Sequence, residues 1–279
     1  MNKNHVLYRI KVVVANVFIF ILSFTCVFPV VWIFYSSLKT NTELFANLLS
    51  LPSRLNFQNY IDVFSEFKIM HYLKNTFIHS VSAVVFILLL GFIAGYFLSR
   101  YTFKGRNLIY GMFMSGILIP IHALLVPVYM EFRMFNIVNT RFALIIPYIA
   151  FNLPLAVFLV EAYIKSIPIE MEEAAVIEGA TITQTLARII LPMSKPVMAT
   201  ILVLSFNSTW NEFAFGLTLV SGDRFKNISV ALRSFASEWT VDYVRQMAAS
   251  VLATIPVLLV YTFFCKRIIQ GMVAGAVKG

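Results

Sequence analysis

The sequence predicts an all-α integral membrane protein built from six transmembrane helices, and three observations predict it. Only 13% of its 279 residues are charged while 59% are hydrophobic, against about 25% charged in an average soluble domain. Its mean hydropathy is +0.82. Six apolar runs stand along it, each close to the roughly 20 residues a helix needs to cross the hydrocarbon core. A soluble fold would have to hide all six at once. No charge block, Gly/Ser linker or low-complexity tract divides the chain, which reads as one transmembrane domain over residues 1–279.

The first run, residues 12–38, carries no charge. It is too long for the apolar core of a signal peptide and lacks a small-residue cleavage site, so it reads as an uncleaved span. Residues 75–99 form the second, where Gly91 and Gly95 make the small-xxx-small pattern of close helix packing. Residues 107–130, 142–160, 196–220 and 246–265 follow, with Glu212 interrupting the fifth. Prolines 29, 120, 127, 147, 154 and 256 lie inside these runs. A bundle tolerates them because neighbouring groups satisfy the carbonyls they free.

Orientation follows from Lys and Arg near the span ends. Lys3, Arg9, Lys11, Arg100, Lys104, Arg106, Lys266, Arg267 and Lys278 fall in three short segments that hold no acid. Basic residues on the opposite side lie in longer loops mixed with acids. Both termini and the connection between spans four and five are therefore expected in the cytoplasm. Connections 39–74 and 221–245 are expected outside, open to an external partner. The net charge of +9 is spread over span ends, which suits an anionic inner leaflet and not a nucleic acid. Aromatic content of 15%, with 27 Phe, suits lipid-facing positions. Two cysteines, Cys26 and Cys265, sit in apolar runs and give no disulfide framework or metal knuckle.

Residues 164–192 read as a cytoplasmic hairpin of two short helices. Pro168 suits a first helical turn. Glu170, Glu172 and Glu173 then stand near a helix N-terminus, where the macrodipole favours negative charge. Ala174 and Ala175 keep one face thin enough for another surface to approach. Gly179 fits a helix C-cap because it enters the left-handed region freely. Thr181 and Gln184 have capping-box spacing for a second helix, which Pro192 is expected to end. A small, rigid, acid-tipped hairpin of this kind is a docking element.

Glu173-Ala174-Ala175, three residues, Gly179, nine residues, then Ile189-Ile190-Leu191-Pro192 resembles the EAA loop of ABC importer permeases in spacing and residue type. Ile167-Pro168 and Lys195-Pro196 also fit, and Glu178 stands where the family more often has Asp. Trp210-Asn211-Glu212-Phe213 is similar to a segment of carbohydrate permeases. Gly271 to Gly279 is similar to the tail of the MalG-like subunit. The resemblance implies a type I ABC importer permease of a bacterial inner or plasma membrane, forming half of a pore for a sugar or oligosaccharide. It implies a second, related permease, an external sugar-binding protein and an ATPase dimer on the cytoplasmic side. The chain has no GxxxxGK[ST], so ATP and Mg belong to that ATPase and no cofactor belongs here. The family's loop contacts carry over to Glu173, Ala174, Ala175, Gly179, Leu191 and Pro192. Its ATPase-contacting tail carries over to Gly275, Ala276, Val277, Lys278 and Gly279.

Other readings compete. A permease for a non-sugar solute shares the loop, but the Trp210 segment and the tail argue against it. Secondary transporters commonly show internal repeats and intramembrane acids, and neither is evident beyond Glu212. A membrane enzyme needs a catalytic pair, and none is found. Histidines 5, 71, 79 and 122 lack metal-ligand spacing, and His122, between Pro120 and Pro127, reads as the mark of a broken helix. Glu212 has two readings, an intramembrane functional acid or a solvated group at the outer interface. Tyr129, Asn152, Asn207 and Asn211 are candidates with it for the substrate path, since sugar sites combine aromatic faces with a few polar groups. Arg233, Phe235, Glu238 and Trp239 lie on a loop that either reaches the external binding protein or is simply solvated.

Overall fold

The computed structural model describes residues 3–235 and 242–276, with no strand among them. Helix α1 (Lys3–Ser36) carries the first apolar run without a break, Pro29 included. Two short outer helices follow, α2 (Asn41–Ala46) and α3 (Gln58–Ser65). Thr40 and Glu43 cap α2 with a reciprocal box. The second run is α4 (Ile69–Arg100), longer at its start than residues 75–99.

The third run is not one helix. Helix α5 (Arg106–Leu118) stops after 13 residues, and α6 (Leu125–Met134) follows a short 3₁₀ turn. The two parts are bent by 96°. Pro120 is the cause: it and Ile119 are both extended, because the proline ring pushes the preceding residue out of the helical region. The fourth run is α7 (Phe142–Ile164), with Pro147 and Pro154 inside it.

The connection that follows contains α8 (Glu170–Ile177), α9 (Ile182–Thr185), a π turn over Leu186–Ile190 and α10 (Leu191–Met193). Pro192 does not end the second helix, which runs on to Met193. The π turn resets the ladder just before the proline, so its ring meets no carbonyl one regular turn back. Helix α11 (Lys195–Trp210) then leaves at 74°. It covers only part of the expected run 196–220. Residues 211–213 break the run, and α12 (Ala214–Leu219) completes it. At 1.5 Å per residue α11 alone is about 24 Å long, short of a roughly 30 Å hydrocarbon core. Helix α13 (Ile228–Ala231) and the long α14 (Tyr243–Ala276) close the chain.

Two compact units result, Met1–Ile69 with Ser234–Thr254, and Met70–Arg233 with Ile255–Gly279. In the first, Asn59 donates to the carbonyls of Ser37 and Lys39, at 2.7 and 2.8 Å, and Arg245 pairs with Asp62. In the second, α4 and α7 form the centre of the core through Ile87, Tyr96, Leu144 and Val160. A Cβ on Gly91 would lie 2.8 Å from that of Ala156, and one on Gly95 2.6 Å from that of Val160. Only glycine permits that approach, so the small-xxx-small pair is a helix contact.

Candidate functional site

The hairpin is built from local signals that agree with one another. Three glutamates stand in the first turn of α8. At its other end Ala180 N–H bonds Ala175 O at 2.9 Å and Gly179 N–H bonds Val176 O at 3.0 Å, with Gly179 at φ +81°. That pair of bonds is a Schellman motif, which needs a residue free to turn left-handed. Thr181 and Gln184 then form the expected capping box at the start of α9.

The two sides of α8 differ sharply. Glu173 and Ala174 face outward, whereas Ala175 is buried in its own subunit and offers no surface to a partner. The outermost groups are apolar: Val176 is 66% exposed and Ile177 86%. A hydrophobic knob beside an acid is thus what this loop presents.

Glu172, adjacent to the motif, points the other way and is buried. Arg100 Nε donates to it at 2.6 Å and the Tyr96 hydroxyl at 2.7 Å. The same guanidinium donates through Nη2 to Ile167 O at 2.8 Å. One arginine at the end of α4 therefore holds both the start of the loop and the inner face of α8. A parallel tie lies beside it. Buried Glu161 on α7 pairs with Lys165 and with Arg106, 3.5 Å away, and Arg106 also donates to Leu98 O at 2.7 Å. The Tyr163 hydroxyl donates to Met193 O at 3.2 Å. Tyr96 and Arg100 thus fasten the hairpin to α4 and Tyr163 fastens it to α7, while Arg106 ties α5 to α4 and α7 beside them.

Sequence reasoning missed Tyr96, Arg100, Glu172, Glu161 and Arg106. A signal was available: Tyr96 and Arg100 are four residues apart, Glu172 and Ala175 three apart, so each pair shares a helix face.

The second locus surrounds the break after α11. The Glu212 carboxylate accepts from Phe215 N–H at 2.6 Å and Gly216 N–H at 3.1 Å, free donors in the first turn of α12. The Tyr148 hydroxyl donates to it at 3.2 Å. Asn227 Nδ2 donates to the Glu212 carbonyl at 2.7 Å and lies 3.3 Å from the Tyr148 hydroxyl. Glu212 thus holds together the chain break between α11 and α12. Asn207, in the last turn of α11, and Asn211, just past its end, are exposed and joined by a 3.0 Å side-chain bond. Asn152 donates to its own helix at Tyr148 O, and Tyr129 packs against the core. Of the five candidates for the substrate path, the hydrogen bonds bring together Asn207 and Asn211, with Glu212 next in sequence. Gly275 and Ala276 end α14. Val277, Lys278, Gly279, Glu238 and Trp239 lie outside the described residues.

A sequence profile described as "Binding-protein-dependent transport system inner membrane component" matches residues 87–274. The diacetylchitobiose uptake system permease protein of Streptomyces coelicolor is 32% identical over 267 residues, covering 95% of this chain and 88% of its own. The trehalose/maltose transport system permease protein of Thermococcus litoralis is 33% identical, covering 99% of each. Among solved structures, a chain of a bacterial ABC transporter involved in alginate import superposes with a TM-score of 0.82. It is 24% identical and covers 96% of this chain and 99% of that one, which establishes the shared fold.

Proposed function

The chain belongs to the binding-protein-dependent transport inner membrane components, in their MalG-like carbohydrate branch, and from that premise we propose that it forms half of the pore of an ATP-driven importer for a sugar or oligosaccharide. The other half is a related permease, and an external sugar-binding protein delivers the substrate. Hydrolysis of ATP with Mg occurs on a separate ATPase dimer, and this subunit has no enzymatic step of its own. Both termini and the hairpin face the cytoplasm.

One observation carries the reading: a capped hairpin fastened by a buried ion pair at its base and bare at its tip. In this mechanism Val176 and Ile177 seat in an apolar cleft of the ATPase, and Glu173 meets a basic residue at its rim. Closure of the ATPase dimer displaces the hairpin, and Arg100 and Glu172 pass the displacement to α4. The tie from Glu161 to Arg106 and Lys165 carries it to α7 and α5. Gly275 to Gly279 would add a second contact to the ATPase. The exposed Asn207 and Asn211 face the pore, where their amides replace water around sugar hydroxyls. Glu212 keeps the α11–α12 break in shape beside them.

Glu173→Lys tests the docking. The variant subunit is expected to insert and to pair with its partner permease, while uptake is lost and the ATPase is released or hydrolyses without transport. Wild-type uptake would sink the docking assignment.

A further inference from the structure

Segment 47–57, between α2 and α3, exposes side chains that a watery loop would not carry. Leu48, Leu49, Leu51, Leu55 and Phe57 are between 55% and 74% exposed. The backbone beneath them is turned toward protein. Trp32 Nε1 donates to Leu48 O at 2.8 Å, and the Tyr35 hydroxyl to Leu49 O at 3.1 Å. The buried Lys39 ammonium donates to Asn47 O and Leu48 O at 3.2 and 3.3 Å. Asn47 Oδ1 accepts from the N–H groups of Leu49 and Ser50, at 3.1 and 3.2 Å. Side chains of the preceding helix end thus take up carbonyls that would otherwise need water.

We propose that residues 48–57 form an apolar lip immersed in the bilayer leaflet at the C-terminal end of α1, a lipid-binding surface separate from the pore and the hairpin. Three features select lipid as the occupant. The lip continues the apolar surface of the last turns of α1, where Val27, Val30, Val31 and Phe34 are exposed. Trp32 and Tyr35, residue types that settle at the headgroup level, stand where the two surfaces meet. Irregular backbone survives at membrane depth only where protein satisfies its polar groups, and here three carbonyls and two N–H groups are so satisfied. Exposed Arg54, between Leu51 and Leu55, has the reach to leave its charge among headgroup phosphates. The lip rests on the proposed orientation only for the identity of the leaflet, which is then the outer one.

The test uses the full complex in lipid nanodiscs, with Cys26 and Cys265 replaced by serine. A nitroxide is attached at Leu51→Cys and, in a second protein, at Leu55→Cys; both positions are open enough to accept it. Collision of the label with oxygen, which partitions into lipid, is compared with collision with a water-soluble nickel chelate. A label at Asp223→Cys, on an exposed turn, gives the aqueous reference. The lip requires an oxygen-to-nickel ratio several-fold above that reference at both sites. A ratio equal to the reference places the segment in water and overturns the proposal. Low collision with both reagents places it under protein, such as the partner permease, and overturns it as well. Neither outcome touches the ATPase docking read by Glu173→Lys.

Discussion

Arg100→Ala removes two of the bonds that tie the hairpin to α4, the one to Glu172 at 2.6 Å and the one to Ile167 O at 2.8 Å, and leaves the Tyr96 bond to Glu172. The two charged side chains are only 11% and 10% exposed, so solvent screens the pair weakly. Deleting one partner of a buried pair costs about 3–5 kcal/mol, because the other charge stays buried and unmatched. At about 1.4 kcal/mol per factor of ten, that is roughly two to three and a half orders of magnitude in the opening equilibrium of the loop. Tyr96→Phe loses a single hydrogen bond and should cost only about 0.5–1.5 kcal/mol. Hydrogen exchange of the amides of residues 166–180, measured in the full complex, reads the opening directly. ATP hydrolysed per sugar imported reads the consequence. Both should rise steeply in Arg100→Ala and little in Tyr96→Phe. Replacing Arg100 and Glu172 together by methionine should bring exchange back toward wild type, since an apolar pair often substitutes for a buried ionic one at little net cost. Unchanged exchange and an unchanged ATP-to-sugar ratio in Arg100→Ala would refute the idea that this pair holds the hairpin.

Two further outcomes follow from the core. Gly95→Ala drives a methyl group to within 2.6 Å of Val160 Cβ, so α4 and α7 must separate. Such overpacking costs about 1–3 kcal/mol, visible as a lower unfolding temperature in detergent, and an unshifted transition would contradict the close approach of the two helices. Glu212→Ala removes the acceptor for two N–H groups of α12, a loss on the scale of a helix cap, about 0.5–2 kcal/mol. Glu212→Gln keeps an acceptor oxygen and should lose less in stability and in uptake. Equal losses in the two variants would argue that the charge, not the capping, matters there.

The parts of the site that sequence reading reached are those set by near neighbours in the chain. Gly179, the Thr181–Gln184 box and the acidic first turn of α8 each depend on residues within a turn or two, and each lies where local chemistry puts it. The spans were legible for a related reason: hydrophobicity alone selects them, without regard to what they touch. Their interruptions were legible only in part: His122 between Pro120 and Pro127 marked one and Glu212 the other, without showing where each helix stops. Residues 107–130 are apolar enough for one helix, yet two extended residues at Ile119 and Pro120 split them. Within residues 196–220 the sequence marks Glu212 as an interruption, but not its service as acceptor for a new helix start. Hydropathy averages over such points, while a hydrogen-bond ladder is cut by a single residue. Ala175 was misread on the same ground, since the face of α8 turned inward is decided by Arg100, more than seventy positions away.

That distance bears on the basic residues themselves. Arg100 and Arg106 read as topology signals, charges expected on the cytoplasmic side. In the folded unit Arg100 is engaged with Glu172 and Arg106 with Glu161, two buried carboxylates near the base of the hairpin. The two roles reinforce each other. In the proposed orientation, a charge that cannot cross the bilayer fixes which end of α4 and α5 stays inside, and its partner acid, Glu172 on the hairpin or Glu161 on α7, can pair with it only at that end. Arginine suits the place better than lysine, because one planar guanidinium reaches Glu172 through Nε and Ile167 O through Nη2 at once. In the proposed orientation and mechanism, positive residues at the inner boundary therefore orient the spans during insertion and later serve as their attachment to the hairpin.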